Sequence, residues 1–375
     1  MKKIAIVRGK FLNRYEMQFF EPLVGQYDVT AFGSLTPYHD QFAFPVIKLP
    51  SPMDLPEFPY KMPILNRLFT DAHYLFGLEH KLKGFDLVHT AETYFRYTQQ
   101  CLNAKKKGYV RKVIATVLEN IPFNNEGIRG RAAYKKRART ELDHMVALTQ
   151  KTKDAMLLEG ANPKKITVIS HFVDTTRFTP NGKRHSGKEL TILFVGRLEV
   201  YKGVLDILEA ASRLSADPAL SEYHLTLVFV GEGSLKQRMF DLERNIGKIW
   251  HFRHVSATYD DMPKYYRDAD IFIAPSKPTP TWEEQYCTAL LEAQAAGLPI
   301  VTTRSGGIPE NVGPAAVLVS PGDSNALSSS LKQFIVNTKM RREYAALART
   351  RAVSVHDISI GSKKLALLYD RVLSE

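Results

Sequence analysis

The feature that most constrains this chain is the alternation of short apolar runs with helical stretches along all 375 residues. A run of about 4–8 apolar residues bounded by turn formers is best buried as a parallel strand covered on both faces. The pattern predicts strands at 3–7, 28–32, 46–49, 87–90, 112–117, 145–148 and 166–169, with helices near 14–25, 62–82, 94–107, 129–142 and 151–159. A polar stretch at 179–187, rich in turn formers and without apolar period, reads as a linker. The alternation then restarts, with strands at 191–195, 225–230, 249–254, 271–274, 299–303 and 316–319, and helices at 203–215, 234–245, 261–268, 288–296, 324–338 and 339–352. The fold class is therefore α/β, as two Rossmann-like doubly wound domains, 1–180 and 181–357, facing each other across an interdomain cleft. The last segment, 358–375, has helical character and is expected to pack back on the first domain.

Two cysteines, Cys101 and Cys287, without a CxxC or a His cluster, suggest neither a disulfide framework nor a metal site. A reducing cytoplasm fits, and no window has the ~18 apolar residues of a membrane span. The formal net charge is +12, unevenly placed: residues 1–180 hold 27 Lys and Arg against 17 Asp and Glu. Between Arg96 and Arg139 twelve basic residues face two acidic ones, Glu119 and Glu126. This run suggests an anionic partner, a membrane surface along 96–139 or a phosphorylated acceptor ahead of nucleic acid, or else it is a set of solvated helix faces. No nucleic-acid motif accompanies it, so no nucleic-acid partner is expected. Seven prolines lie between Pro37 and Pro63 among Phe42, Phe44, Phe58 and Tyr60. That segment cannot be mainly regular structure; it reads as an irregular connection, an acceptor-side lid or a membrane-touching loop.

Three strand-to-helix junctions of the second domain concentrate polar chemistry. After the first comes Gly196-Arg197-Leu198 with Lys202-Gly203, where Arg197 can fork onto phosphate oxygens and Lys202 adds a compact charge. A second strand ends in Gly231-Glu232-Gly233-Ser234. The third junction carries Glu284 and Glu292, which bracket seven residues: Glu284 in the loop that feeds a helix, Glu292 within its first turns. Free amides at that helix start favour a phosphate, and like-charge repulsion directs both glutamates to hydroxyls beside it, such as a ribose and a transferable sugar.

These motifs, together with Glu292-Ala293-Gln294-Ala295-Ala296-Gly297-Leu298-Pro299 and Gly306-Gly307-Ile308-Pro309-Glu310, resemble in order the pattern of family 4 of the retaining glycosyltransferases, which have the GT-B fold. The resemblance spans nearly the whole second half. It implies hexosyl-type transfer from a nucleotide diphosphate sugar to a hydroxyl of a glycan or lipid-linked acceptor, with no cofactor and no metal. Arg197 and Lys202 would hold the diphosphate and stabilise the leaving group, Glu292 the ribose and Glu284 the donor sugar. The implied donor-binding set also includes Gly9, Gly196, Gly231, Glu232, Tyr286, Cys287 and Thr288. Members retain anomeric configuration, with the departing phosphate taking the acceptor's proton.

The first domain matches less well. Only Gly9 stands where relatives place a glycine pair, with Arg8 and Lys10 as electrostatic substitutes. Where relatives often show Thr-x-His, this chain has Thr116-Val117-Leu118, so Leu118 replaces a commonly catalytic histidine. Glu119 and Asn120 are the nearest polar substitutes, and the strand-end His89, with Glu92 beyond it, is another candidate. The competing readings are an epimerase of the same fold and, further off, a basic nucleic-acid-binding protein. The expected place of work is the cytoplasm, at the inner face of a membrane.

Overall fold

In the computed structural model, which describes residues 1–182 and 187–375, the chain forms two compact units. One comprises Met1–His171 with Ile358–Glu375, the other Phe172–Asp357. Part of the expected 179–187 linker, residues 183–186, lies outside the described residues.

The first unit is built on strands β1 (Lys3–Gly9), β2 (Asp28–Gly33), β3 (Val46–Lys48), β4 (Phe85–Ala91), β5 (Val110–Val117), β6 (His144–Ala147) and β7 (Ile166–Val168). They form one parallel sheet in the order β3-β2-β1-β4-β5-β6-β7. The second unit holds β8 (Glu189–Val195), β9 (His224–Val230), β10 (Trp250–Val255), β11 (Ile271–Ala274), β12 (Ile300–Thr303) and β13 (Val317–Val319), parallel in the order β10-β9-β8-β11-β12-β13. The apolar runs account for both sheets: Ile4 to Val7 and Ile271 to Ile273 are wholly buried. Strand order reverses beside β1 and beside β8, and ligands of such sheets bind beyond the carboxyl ends of the strands at these switch points.

The structure departs from the expected helices where polar anchors or proline intervene. The helix expected at 62–82 is two, Lys61–Phe69 and Leu78–Lys81. Thr70, at φ +64°, ends the first, and the next residue, Asp71, is buried with its carboxylate bonded by Arg96 N at 2.8 Å and Arg131 at 2.7 Å. The helix expected at 14–25 is a single turn, Arg14–Met17, capped by Asn13, followed by a 3-10 turn around Pro22.

The first unit closes at His171, not at 180. Phe172 and Val173 are buried in the second unit, where Val173 N donates to His356 O at 2.8 Å. The Ile358–Ser374 helix belongs to the first unit. The Tyr27 hydroxyl donates to Asp370 at 2.7 Å, and Tyr369 is buried against β4 with its hydroxyl 2.7 Å from His89 Nδ1.

Candidate functional site

In the second unit the carboxyl ends of β8, β9 and β11 carry the polar residues. β8 runs into Gly196 and Arg197, then into a 3-10 turn, Val200–Lys202, and the Val204–Ser215 helix. Gly203, at φ +73°, joins the last two, and a Cβ there would collide with the Pro275 carbonyl. The close approach brings the end of the turn against the chain leaving β11. Lys202 Nζ thus comes to lie 2.5 Å from Glu284 Oε2, which also accepts from the Ser276 hydroxyl at 2.8 Å. Gly306, at φ +52°, packs against the Glu284 backbone in the same way, and Gly307 N donates to Glu284 O at 2.8 Å, fixing the glutamate from the other side.

An aromatic pair encloses the ammonium. The Tyr201 and Trp282 rings are 4.3 Å apart, Lys202 Nζ lies 4.8 Å from the Trp282 centroid, and the Tyr201 hydroxyl is 3.3 Å from Arg197. Burial alone would lower the Lys202 pKa, but the Glu284 carboxylate outweighs it and holds the ammonium above its ordinary value. Glu284 was expected to face a hydroxyl beside a bound phosphate; in this structure its carboxylate is paired with Lys202.

Glu292 has a different environment. It lies midway along the Thr288–Ala295 helix, is 3 % exposed, and its Oε1 has no hydrogen-bond partner. Burial pushes its pKa up to about 7, against the pull of the Tyr266 hydroxyl and the Arg177 charge. Arg177 stacks 4.1 Å from the Tyr259 ring centroid and donates to Tyr259 O at 2.5 Å. The helix N-terminus has no side-chain cap: Cys287 occupies that position at φ +58°, and burial, with Glu284 adding, pushes its thiol up to about 12.

The remaining expected donor residues are placed unequally. Gly196 N and Gly231 N continue the sheet ladders to Val230 O and Val255 O. The Glu232 carboxylate is turned to solvent and paired with Lys236 at 3.0 Å, leaving its carbonyl, which accepts from Leu198 N, as the ordered group. The Tyr286 ring is buried beside His356, and its carbonyl accepts from the Asn311 amide. Thr288 is the first residue of the helix. The sequence reading missed Trp282, Tyr201, Ser276, Tyr266 and Arg177. Trp282 lies two residues before Glu284, a hint in itself; Arg177 gave no local signal.

In the first unit His89 is no free base. Nδ1 is taken by Tyr369 and Nε2 lies 2.7 Å from the Thr116 hydroxyl, while burial, with Arg8 adding, holds its pKa well below the ordinary value. Glu119 is likewise tied, accepting from Ile121 N at 3.0 Å and from the amides of Asn124 and Asn125 at 2.8 and 2.9 Å. The group with an oxygen to spare is Glu92. Its Oε1 accepts from Leu118 N at 2.9 Å and Glu119 N at 3.1 Å, its Oε2 has no partner, and its backbone is strained at φ +59°. Burial first, and Glu119 second, push its pKa up to about 8. Gly9, at φ +56°, lies against the Tyr97 ring at the end of β1. Arg8 cannot replace a second glycine as a phosphate ligand. It is buried, donates to Val7 O and His89 O, and lines a small cavity, of about 10 Å³, with Glu16, Phe20 and His171. Lys10 bonds the Thr36 hydroxyl at 2.8 Å.

The basic run is largely consumed inside its own unit. Seven of its twelve cations, Lys105, Lys107, Lys112, Arg131, Lys135, Arg137 and Arg139, are within ion-pair distance of a carboxylate. Among the described residues no group of three or more His, Cys, Asp or Glu could hold a metal, and no helix is long and apolar enough to cross a membrane.

Residues 176–351 match the family described as glycosyl transferases group 1, and residues 23–177 match glycosyltransferase family 4. The D-inositol 3-phosphate glycosyltransferase of Salinispora arenicola is 32% identical over 236 residues, 56% of this chain and 51% of that protein. Glycogen synthase of Mycobacterium tuberculosis is 28% identical over 233 residues, 61% of this chain and 54% of that protein. The chain thus spans about half the length of these curated relatives. Among solved structures, sucrose-phosphate synthase from Thermosynechococcus elongatus superposes with a TM-score of 0.77 at 18% identity, covering all of both chains. Anabaena HepE, solved in complex with UDP, gives 0.74 at 16% identity over 99% of this chain and 100% of its own. The fold is that of GT-B glycosyltransferases, and by the two matches that run in succession from residue 23 to residue 351 the chain belongs to the family 4, group 1 glycosyltransferases.

Proposed function

We propose that this chain is a retaining glycosyltransferase that moves a hexose-type sugar from a nucleotide diphosphate sugar to a hydroxyl of a glycan or lipid-linked acceptor, without a metal. The observation that carries this reading is the pairing of two unlike glutamates in the second unit. Glu284 is bound to Lys202 beside an aromatic pair, whereas Glu292 is buried with an oxygen to spare behind an uncapped helix N-terminus.

A buried carboxylate oxygen without a partner is costly, and a ribose diol supplies donors that remove the cost. Helix amides, Arg197 and Lys202 would bind the diphosphate and stabilise the charge that grows on it as the glycosidic bond breaks. As the phosphate takes over Lys202, Glu284 is released to accept from the sugar's hydroxyls, so donor binding itself would arm the sugar site. The departing phosphate oxygen would take the acceptor's proton on the face it leaves, which preserves anomeric configuration. Glu92, not His89 or Glu119, is the first-unit group with a free oxygen for an acceptor hydroxyl. Both cysteines are free thiols, which fits a reducing compartment.

The test is calorimetric titration with UDP-glucose, chosen because Anabaena HepE has been solved with that ligand, then with other nucleotide sugars, followed by product analysis. Binding with release of nucleoside diphosphate and a glycosylated product is expected. An isomerised free sugar would identify an epimerase, and indifference to every nucleotide sugar would remove the reading altogether.

A further inference from the structure

The Lys61–Phe69 helix of the first unit is inverted relative to an ordinary surface helix. Its inward face buries Leu65 and, unusually, Lys61, while its outward face carries Pro63, Ile64, Arg67 and Leu68. Ile64 and Leu68, four residues apart on that face, are 45 and 71% exposed, and Tyr60, which leads into the helix, is 79% exposed. The preceding Leu55 and Phe58 are exposed as well. A run of large apolar side chains on one exposed face is not usual surface composition and marks an interaction site.

The charges beside it select the partner. No acidic residue stands on the helix's outward face, and the nearby Glu57 is neutralised by Lys61, which also donates to the carbonyls of Met53 and Leu55 and so holds the apolar segment in place. Arg67 projects from the stripe itself. Arg129 is exposed beside the helix end, because the adjoining Gly130 packs on Thr70 so closely that a Cβ there would stand 2.6 Å from Thr70 Cγ2. Neither arginine has an ion-pair partner among the described residues. Apolar side chains flanked by unpaired arginines suit a surface that is oily within and negative at its rim.

We propose that the 55–68 segment and its helix dock this protein in the plane of an anionic lipid bilayer, with Tyr60, Ile64 and Leu68 entering the headgroup boundary and Arg67 and Arg129 meeting lipid phosphates. The docking surface is therefore the proline-rich segment, and the basic run at 96–139, most of whose cations are paired, contributes only Arg129. A lipid-linked acceptor would be met at this surface, but docking needs neither donor nor acceptor and stands apart from the transferase reading.

The test is cosedimentation of the full chain with vesicles of phosphatidylglycerol and phosphatidylcholine, or of phosphatidylcholine alone, at low and high salt, without nucleotide sugar. The wild type is expected to partition onto the anionic vesicles and to be released by salt. Ile64→Ser with Leu68→Ser, at exposed positions that leave the core intact, should weaken partitioning by about tenfold or more, the scale of removing two inserted side chains. Arg67→Gln with Arg129→Gln should abolish the preference for anionic lipid, and Lys106→Gln with Arg111→Gln, exposed in the basic run, should change nothing. No vesicle binding at low salt, unaltered binding by the serine pair, or loss on the Lys106 and Arg111 changes alone would overturn the proposal. So would sedimentation equilibrium that shows a dimer which the serine pair dissociates, because the face would then belong to a second copy.

Discussion

At Glu292 a buried carboxyl with one unpaired oxygen titrates near neutrality, so both ligand affinity and stability there depend on pH. Its folded pKa of about 7 stands above the ordinary 4.5, so the folded state holds the extra proton between these values. Stability is then lost as pH rises through that window and is undiminished below it. Glu292→Gln should make the ligand-free protein more stable than wild type at pH 8 by on the order of 1–3 kcal/mol, a gap that closes towards pH 5 in urea titrations. Donor affinity should follow the opposite course. With the ribose on Glu292, as proposed, only the ionised carboxylate would accept from both hydroxyls, so nucleotide affinity should rise from pH 6 to 8 in the wild type and stay flat, weaker by roughly 1.5–3 kcal/mol, in Glu292→Gln. Calorimetry across that range is the check. At Trp282 the expected outcome is a split. Trp282→Ala leaves nucleoside diphosphate binding nearly unchanged, because Arg197 and the helix amides remain, but weakens the nucleotide sugar by about 1 kcal/mol or more through lost ring contact. Equal weakening of both ligands would mean that Trp282 serves only to position Lys202.

The elements around the site are held where an ordinary residue would not fit, and their ends are therefore sensitive. Cys287 starts the Thr288–Ala295 helix in left-handed backbone without capping it. Cys287→Gly should raise the unfolding free energy from urea titration by about 1 kcal/mol by relieving that conformation, and Cys287→Val, branched at Cβ, should lower it by more. The strands were legible because a parallel strand buried on both faces writes itself as an unbroken apolar run, as Ile271 to Ala274 does. Helix ends in the first unit were less so. The break after Phe69 depends on Asp71, whose partners Arg96 and Arg131 are remote in sequence, and no local pattern contains them. The candidate site divides the same way. The placement of Gly196, Arg197, Lys202, Glu284 and Glu292 at strand-to-helix junctions was readable because each spacing is local, while the Lys202 ion pair joins two junctions and is a fact of tertiary structure alone.

For the whole molecule, two units with separate cores imply separable unfolding. The last helix belongs to the first unit although it follows the second in sequence, and its Tyr369 hydroxyl occupies His89 Nδ1. Tyr369→Phe should leave that buried nitrogen unpaired and lower the first unit's transition by about 1–3 kcal/mol, while the other transition in a calorimetric scan stays in place. A single transition that shifts as a whole would show the units to be thermodynamically coupled. The net charge of +12 was visible from composition, but its meaning was not. Composition counts cations, whereas only packing shows that Glu159 takes up Lys135 and Arg139 and that Asp71 takes up Arg131. By itself the sequence determined the α/β class, the order of the strands and the polar composition of the strand-to-helix junctions, because these depend on periodicity and spacing within short segments. Tertiary structure alone decided which of those residues are free to act: His89 and Glu119 are spent on neighbours, Glu92 and Glu292 keep an oxygen, and the apolar stripe of the Lys61–Phe69 helix faces outward. Availability depends on partners brought together from distant parts of the chain, and no local pattern encodes them.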